Sequence, residues 1–221
     1  MVALLRIVEL YSGSIKIDGI DIRIVGLKKL RSKIAVIPQD PVLFSGTVRT
    51  NLDPFGEYND DRLFEVLEHV GLYSSMERVS SRLSLSSNGS EKRPGGRTQP
   101  IKSLSDEVSE GGTNFSVGQR QLIVIARAML TGASLVIMDE ATASVDADTD
   151  ARIQRVFRHE FKNATCITVA HRLNTIMDSD LVLVMNDGRA VEFDKPSALL
   201  SKFDGLFKGL VDACGVWAEE N

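Results

Sequence analysis

The hexapeptide Leu135-Val136-Ile137-Met138-Asp139-Glu140 constrains this chain more than any other stretch. Four apolar residues lead directly into two carboxylates. A short continuous apolar run fits a strand buried on both faces of a parallel sheet. Such a strand delivers Asp139 and Glu140 at its carboxyl end, where open α/β sheets bind ligands. A carboxylate there can hold a magnesium ion on a phosphate, and a second can orient a water. A buried strand followed by a charged turn reads equally well from these six residues alone, so the surrounding chain decides.

The second half alternates helical and extended patterns. Ser116-Val117-Gly118-Gln119 opens a helix that is nearly all apolar from Leu122 to Leu130, the mark of a buried helix. After the carboxylate strand, Asp148 or Thr149 starts a helix with Ile153, Val156, Phe157 and Phe161 on one face. Thr165 to Ala170 is a β-branched run ending at His171. Leu181 to Met185 is a further strand, turned by Asn186-Asp187-Gly188 into Arg189 to Phe193, and Pro196 begins a final helix through Val211. This alternation argues for a mostly parallel α/β sheet.

The first half is less regular. Met1 to Leu10 reads as an amphipathic helix with Ala3, Ile7 and Leu10 on one face. Ile15 to Ile24 alternates around Asp18-Gly19, which predicts a small antiparallel hairpin. Leu27 to Ser32 suits a short helix. Ile34 to Ile37 is a brief strand ended by Pro38, with Gln39 at its edge. Asp40 to Phe55 is rich in loop residues and contains Asn51-Leu52-Asp53-Pro54-Phe55. Asp60 can cap a helix carrying Leu63, Val66, Leu67 and Val70, with Gly71 as its stop. Between Ser74 and Lys102 serines crowd the chain and Pro94-Gly95-Gly96 interrupts it, so a flexible insertion is expected, with order resuming at Gly111-Gly112-Thr113.

Composition removes several function classes. The chain has 221 residues and a formal net charge of -4, so no broad basic field points to nucleic acid. No apolar run approaches the roughly 20 residues of a membrane helix. Cys166 and Cys214 stand apart and fit neither metal nor disulfide spacing, so a reducing, cytosolic compartment is the default. Asn88-Gly89-Ser90 matches a glycosylation sequon but is discounted in that setting.

Four separate elements thus end in loops presenting Gln39, Ser116-Gly118-Gln119, Asp139-Glu140 and His171. Here the sequence resembles an ATP-binding cassette (ABC) ATPase. Phe115-Ser116-Val117-Gly118-Gln119 is similar to the family's signature motif, and Leu135 to Met138 with Asp139-Glu140 to its Walker B motif. Ala143-Ser144-Val145-Asp146 is similar to the D-loop, Gln39 to the Q-loop glutamine and His171 to the switch histidine. Asn51 to Phe55, with the Phe-Ser-Val-Gly-Gln form of the signature, resembles the second nucleotide-binding domain of the multidrug-resistance-associated (C) subfamily.

The resemblance implies an α/β, P-loop NTPase-like (ABC ATPase) fold: a mostly parallel sheet with a small antiparallel β part and a helical subdomain. It implies one nucleotide-binding domain over 1-221, with an ATPase core at 1-39 and 132-221. The helical subdomain would span 40-131 and include the insertion at about 74-110. ATP and Mg2+ are the implied cofactors. Asp139 and Gln39 would serve the metal, and Glu140 would polarise the attacking water. His171 would contact the γ-phosphate. Ser116, Val117, Gly118, Gln119 and Asp146 would meet nucleotide across a head-to-tail pair with a second nucleotide-binding domain. Transmembrane domains are the other implied partners, which places the chain at the cytoplasmic face of a membrane.

The residues support part of this independently. Ser116 followed by Gln119 three positions on is a capping box, a common structural device. Gly118 leaves a helix start bare, so backbone N–H groups can approach an anion. One departure stands out: a P-loop needs G-x-x-x-x-G-K-[ST], and no Gly-Lys-Ser or Gly-Lys-Thr occurs in the chain. In the family a helix like Met1 to Leu10 follows that motif, so the chain reads as N-terminally truncated. The expected consequence is a chain inactive alone, or one that lends its signature face to a partner's ATP. A soluble, non-transport cassette ATPase is disfavoured by Asn51 to Phe55 and by the missing basic surface.

Overall fold

The computed structural model describes residues 1–73, 101–139, 145–169 and 176–213. The chain divides into two compact units, Met1–Thr168 and Val169–Asn221.

The first unit opens with hydrogen-bonded turns in place of the expected helix over Met1 to Leu10. Leu5 N–H donates to the Met1 carbonyl at 3.3 Å and Ile7 N–H to that of Val2 at 2.9 Å, but Arg6 sits at φ 47°. A left-handed residue ends a right-handed helix, and a helix this short gains little without packing. Leu4 and Leu5 pack inward, whereas Ile7, expected on the buried face, is exposed. The guanidinium of Arg6 holds the segment by donating to the carbonyls of Ile22 and Val25.

The hairpin is confined to β1 (Lys16–Ile17) and β2 (Ile20–Asp21). Asp18 and Gly19, both at positive φ, make its two-residue turn. The Asp21 carboxylate then caps a single 3-10 turn, Ile22–Ile24, and pairs with Arg23; that hydrogen-bonded pairing brings its pKa down to about 2. Helix α1 (Leu27–Arg31) leads into β3 (Ile34–Ile37). Beyond it come β4 (Gly46–Thr47), α2 (Val48–Leu52) and α3 (Asp60–His69). The cap of α3 is Asn59, one residue before the expected Asp60, and Gly71 supplies the left-handed stop at φ 63°.

The insertion expected at about 74-110 lies outside the described residues as far as position 100. From Ile101 onward it is a correction, because this stretch is packed. Ile101, Leu104 and Val108 are buried, and β5 (Glu107–Val108) pairs antiparallel with β4. The apolar residues that do this are spaced among serines and acids, so composition concealed them.

Next come α4 (Val117–Thr131), β6 (Leu135–Asp139), α5 (Ala147–Glu160) and β7 (Thr165–Val169). The sheet order is β3-β6-β7, with β3 and β6 parallel and Ile34 opposite Leu135. Alternation sends the side chains of these strands into two cores. Ala35, Ile37, Val136 and Met138 join the large core beneath α4, whereas Ile34, Leu135 and Ile137 join a smaller one with Ile22 and Leu30. Both faces of β6 are therefore covered, as its unbroken apolar run requires.

The second unit holds β8 (Val182–Asn186) and β9 (Arg189–Asp194), antiparallel about a turn with Asp187 and Gly188 at positive φ. Val182 and Val184 pack against Leu199, Phe207 and Val211. The single helix expected from Pro196 to Val211 is instead two, α6 (Pro196–Leu200) and α7 (Leu206–Ala213). The Glu192 carboxylate from β9 accepts the Phe207 N–H at 2.9 Å, satisfying a first-turn donor and letting a new helix start there.

Candidate functional site

The carboxyl ends of β3 and β6 bring the first two candidates together. Ile37 lies opposite Met138 in a parallel ladder, so Pro38-Gln39 and Asp139 leave the same end of the sheet on adjacent strands, about 5 Å apart. Gln39 is exposed and Asp139 half-buried. Glu140 and His171 lie outside the described residues, as do Ala143 and Ser144.

The start of α4 forms a second cluster. Ser116 is its N-cap: its hydroxyl oxygen accepts the Gln119 N–H at 3.2 Å, and the Gln119 side-chain oxygen accepts the Ser116 N–H at 2.9 Å. The capping box expected from sequence is therefore formed. Ser116 is exposed, Val117 half-buried, and Gly118 and Gln119 are buried. Val117 and Gly118 occupy the first turn, whose N–H groups have no acceptor within a helix.

Packing supplies a need for glycine at position 118, in addition to the expected bare approach to an anion. A Cβ there would stand 2.5 Å from the Thr149 methyl and 3.4 Å from Val145 Cγ1. Its absence lets the start of α4 dock against the start of α5. Asp146 belongs to the same joint. As N-cap of α5 it accepts the Thr149 N–H at 3.0 Å, and that bond holds its carboxyl below the usual carboxylate range. The cap thus precedes Asp148 and Thr149, the starts expected from sequence. Thr149 is the shared neighbour that places Asp146 beside Gly118.

Asn51 and Asp53 carry structural work that a loop reading missed. Asn51 is 1% exposed; its amide donates to the Phe44 and Thr47 carbonyls and accepts the Phe44 N–H. Arg127 of α4 donates to the Asn51 carbonyl at 2.7 Å and lies over the Phe44 ring; burial pushes the Arg127 pKa down. For the Asp53 carboxyl, burial alone would raise the pKa. The backbone N–H groups of Tyr58, Glu57 and Gly56 outweigh it and hold the carboxyl low. Asn51 lies within α2 and Asp53 is its C-cap, so a Thr47-capped helix start four residues before Asn51 is the signal that could have revealed both.

The model of the ABC transporter family matches residues 1–143. A pleiotropic ABC efflux transporter of multiple drugs from Candida glabrata is 44% identical over 96% of this chain and 13% of its own length. ABC transporter C family member 12 from Dictyostelium discoideum is 46% identical over 97% of the chain and 15% of its length. This chain belongs to the ABC transporter family. It therefore spans less than a sixth of these curated relatives, at 13% and 15%. A solved bacterial Atm1-family ABC exporter with ATP bound aligns over 96% of the chain and 34% of its own, with TM-score 0.76 and 28% identity. The parallel β3/β6 sheet, its antiparallel ribbons and its helices accordingly form the P-loop NTPase-like fold of an ABC nucleotide-binding domain.

The ABC chain's own residues partly fit the group the family implies. A carboxylate and an amide oxygen at one sheet end suit magnesium, which takes few protein ligands and keeps several waters. Among the described residues no group of three or more His, Cys, Asp or Glu could hold a metal by itself. The first-turn N–H groups of α4 suit a phosphate oxygen. Among the described residues no helix is long and apolar enough to cross a membrane.

Proposed function

We propose that this chain is the ATP-binding and ATP-hydrolysing domain of an exporter, the second nucleotide-binding domain of a C-subfamily transporter, coupling hydrolysis to transport. The observation that carries the reading is the shared exit of Gln39 and Asp139 from adjacent parallel strands. In this reading positions 1-39 and 132-221 form the ATPase core and 40-131 the helical subdomain.

Magnesium, when bound, offsets the charge of the phosphates and polarises them toward attack. Asp139 would hold it through its water shell, with the Gln39 side-chain oxygen beside it. Glu140 would accept a hydrogen bond from the attacking water and orient it. His171 would donate an N–H to the γ-phosphate. Ser116, Val117, Gly118 and Gln119 would present the positive start of α4 to ATP held by a second nucleotide-binding domain in a head-to-tail pair, with Asp146 at the same joint. The transmembrane domains would be partners on the cytoplasmic face of the membrane.

Glu140→Gln in the P-loop-containing transporter tests this. The variant is expected to keep ATP binding, lose turnover by about a hundredfold or more and accumulate as a closed pair. Parental turnover would remove Glu140 from its role.

A second reading takes the 221 residues by themselves. They contain no Gly-Lys-Ser or Gly-Lys-Thr, and Ser116 at the start of α4 is exposed. In this reading the chain donates its signature face to a partner's ATP site and hydrolyses nothing alone. Equilibrium dialysis with Mg-ATP should find no tight binding by the isolated chain, and ATP-driven association once a P-loop-bearing domain is added. Tight binding by the isolated chain would reject this second reading.

A further inference from the structure

Gln121 is 0% exposed and lies within the apolar body of α4. Its side-chain N–H donates to the Pro38 carbonyl at 3.3 Å, across 83 positions of sequence. Its side-chain oxygen is buried with no hydrogen-bond partner among the described residues. For stability alone, a methionine or leucine would fill this volume without leaving a buried acceptor unpaired. An orphaned buried amide oxygen in a native core calls for an explanation.

The explanation lies in what Pro38 adjoins. Pro38 ends β3, has no N–H of its own and passes the chain to Gln39. Gln121 stands two positions beyond Gln119, on the helix whose start carries Ser116 and Gly118. One side chain therefore joins the start of α4 to the exit of β3.

We propose that Gln121 is a positioning residue that ties the start of α4 to the Pro38 carbonyl and thereby sets where Gln39 stands. The functional weight of this link rests on the reading of Gln39 and the α4 start as parts of one nucleotide site. A shift of the helix toward a phosphate would draw the Gln39 loop with it.

Nuclear magnetic resonance on the whole 221-residue chain tests the link. In the parent, a through-bond coupling is expected between the Gln121 side-chain nitrogen and the Pro38 carbonyl carbon. In Gln121→Met, which keeps the volume and loses the donor, the backbone order parameters of Gln39 and Asp40 are expected to fall from about 0.85 to below about 0.6. Those of Ile123 and Val136 should hold. In Gln121→Glu, only the protonated acid can donate to Pro38, and full burial raises a carboxyl's pKa well above its free value, so order at Gln39 should return as the pH falls from about 9 to about 5. A role in packing alone would not produce that recovery.

No coupling in the parent, unchanged order at Gln39 in Gln121→Met, or no pH-dependent recovery in Gln121→Glu would each overturn the link. The nucleotide arm is separate. ATP-driven association with a P-loop-bearing domain should weaken about fivefold in Gln121→Met and recover in Gln121→Glu at the lower pH. A parent chain that never associates would defeat the nucleotide reading while leaving the resonance result to decide the Gln121 link itself.

Discussion

β6 and β7 are neighbours in one sheet and meet opposite fates. From Leu135 to Met138 every residue of β6 is buried, whereas all five residues of β7 are exposed, Ile167 and Val169 among them. Both are rich in residues that favour extended backbone. What separates them is layering. β6 has α4 and the large core on one face and the small core with Ile22 and Leu30 on the other. Extended propensity therefore belongs to the strand, and burial to the elements stacked on it.

That contrast can be broken most sharply at Ile137. Ile137→Ala should cost about 2–5 kcal/mol in a denaturant melt, because its site is closed on all sides and collapses poorly. A loss below about 1 kcal/mol would mean that β6 is less enclosed than its burial shows.

The next effect comes from the joint that seats α4 over β6. Gly118→Ala drives a methyl toward Thr149 Cγ2 and should cost about 1–3 kcal/mol. Thr149 is β-branched and stiff, so it yields little. The double change with Thr149→Ser removes the opposing methyl and should recover more than half of the loss. If it recovers nothing, the glycine serves something other than this packing.

The smallest effect belongs to β7. Ile167→Thr keeps β-branching and removes only exposed apolar surface, so the chain should stay within about 0.5 kcal/mol of the parent. A larger loss would show that β7 is covered in solution, and the distinction between the two strands would narrow.

Legibility from sequence follows the same division. The β6 run, the capping box at Ser116 and Gln119, and the Asp18-Gly19 turn are local patterns, and each appears where the residues put it. That β3 lies beside β6, so that Gln39 and Asp139 follow the same sheet end, is a long-range pairing that neither apolar run announces by itself. Met1 to Leu10 misled because apolar spacing was read without a partner surface, and Arg6 takes a left-handed backbone. The break between α6 and α7 depends on Glu192, a residue of another element, and no local pattern announces it. The packing need for glycine at position 118 depends on Thr149, thirty-one positions away, and is not written in the local sequence. Gln121 stayed hidden because a glutamine among apolar helix positions looks like an ordinary interruption, and its partner lies 83 residues away.

The fixtures of α4 carry a mechanical meaning. Fifteen residues of helix make a rod of roughly 22 Å. At its far end the Tyr58 hydroxyl donates to the Leu130 carbonyl, and Arg127 grips the Asn51 carbonyl. At its near end stand Ser116 and Gly118. A rod pinned at one end to the Asn51 segment cannot slide at the other without moving what it is pinned to. Any pull on the α4 start therefore reaches the exposed Phe44 ring as a displacement and not as a change of charge.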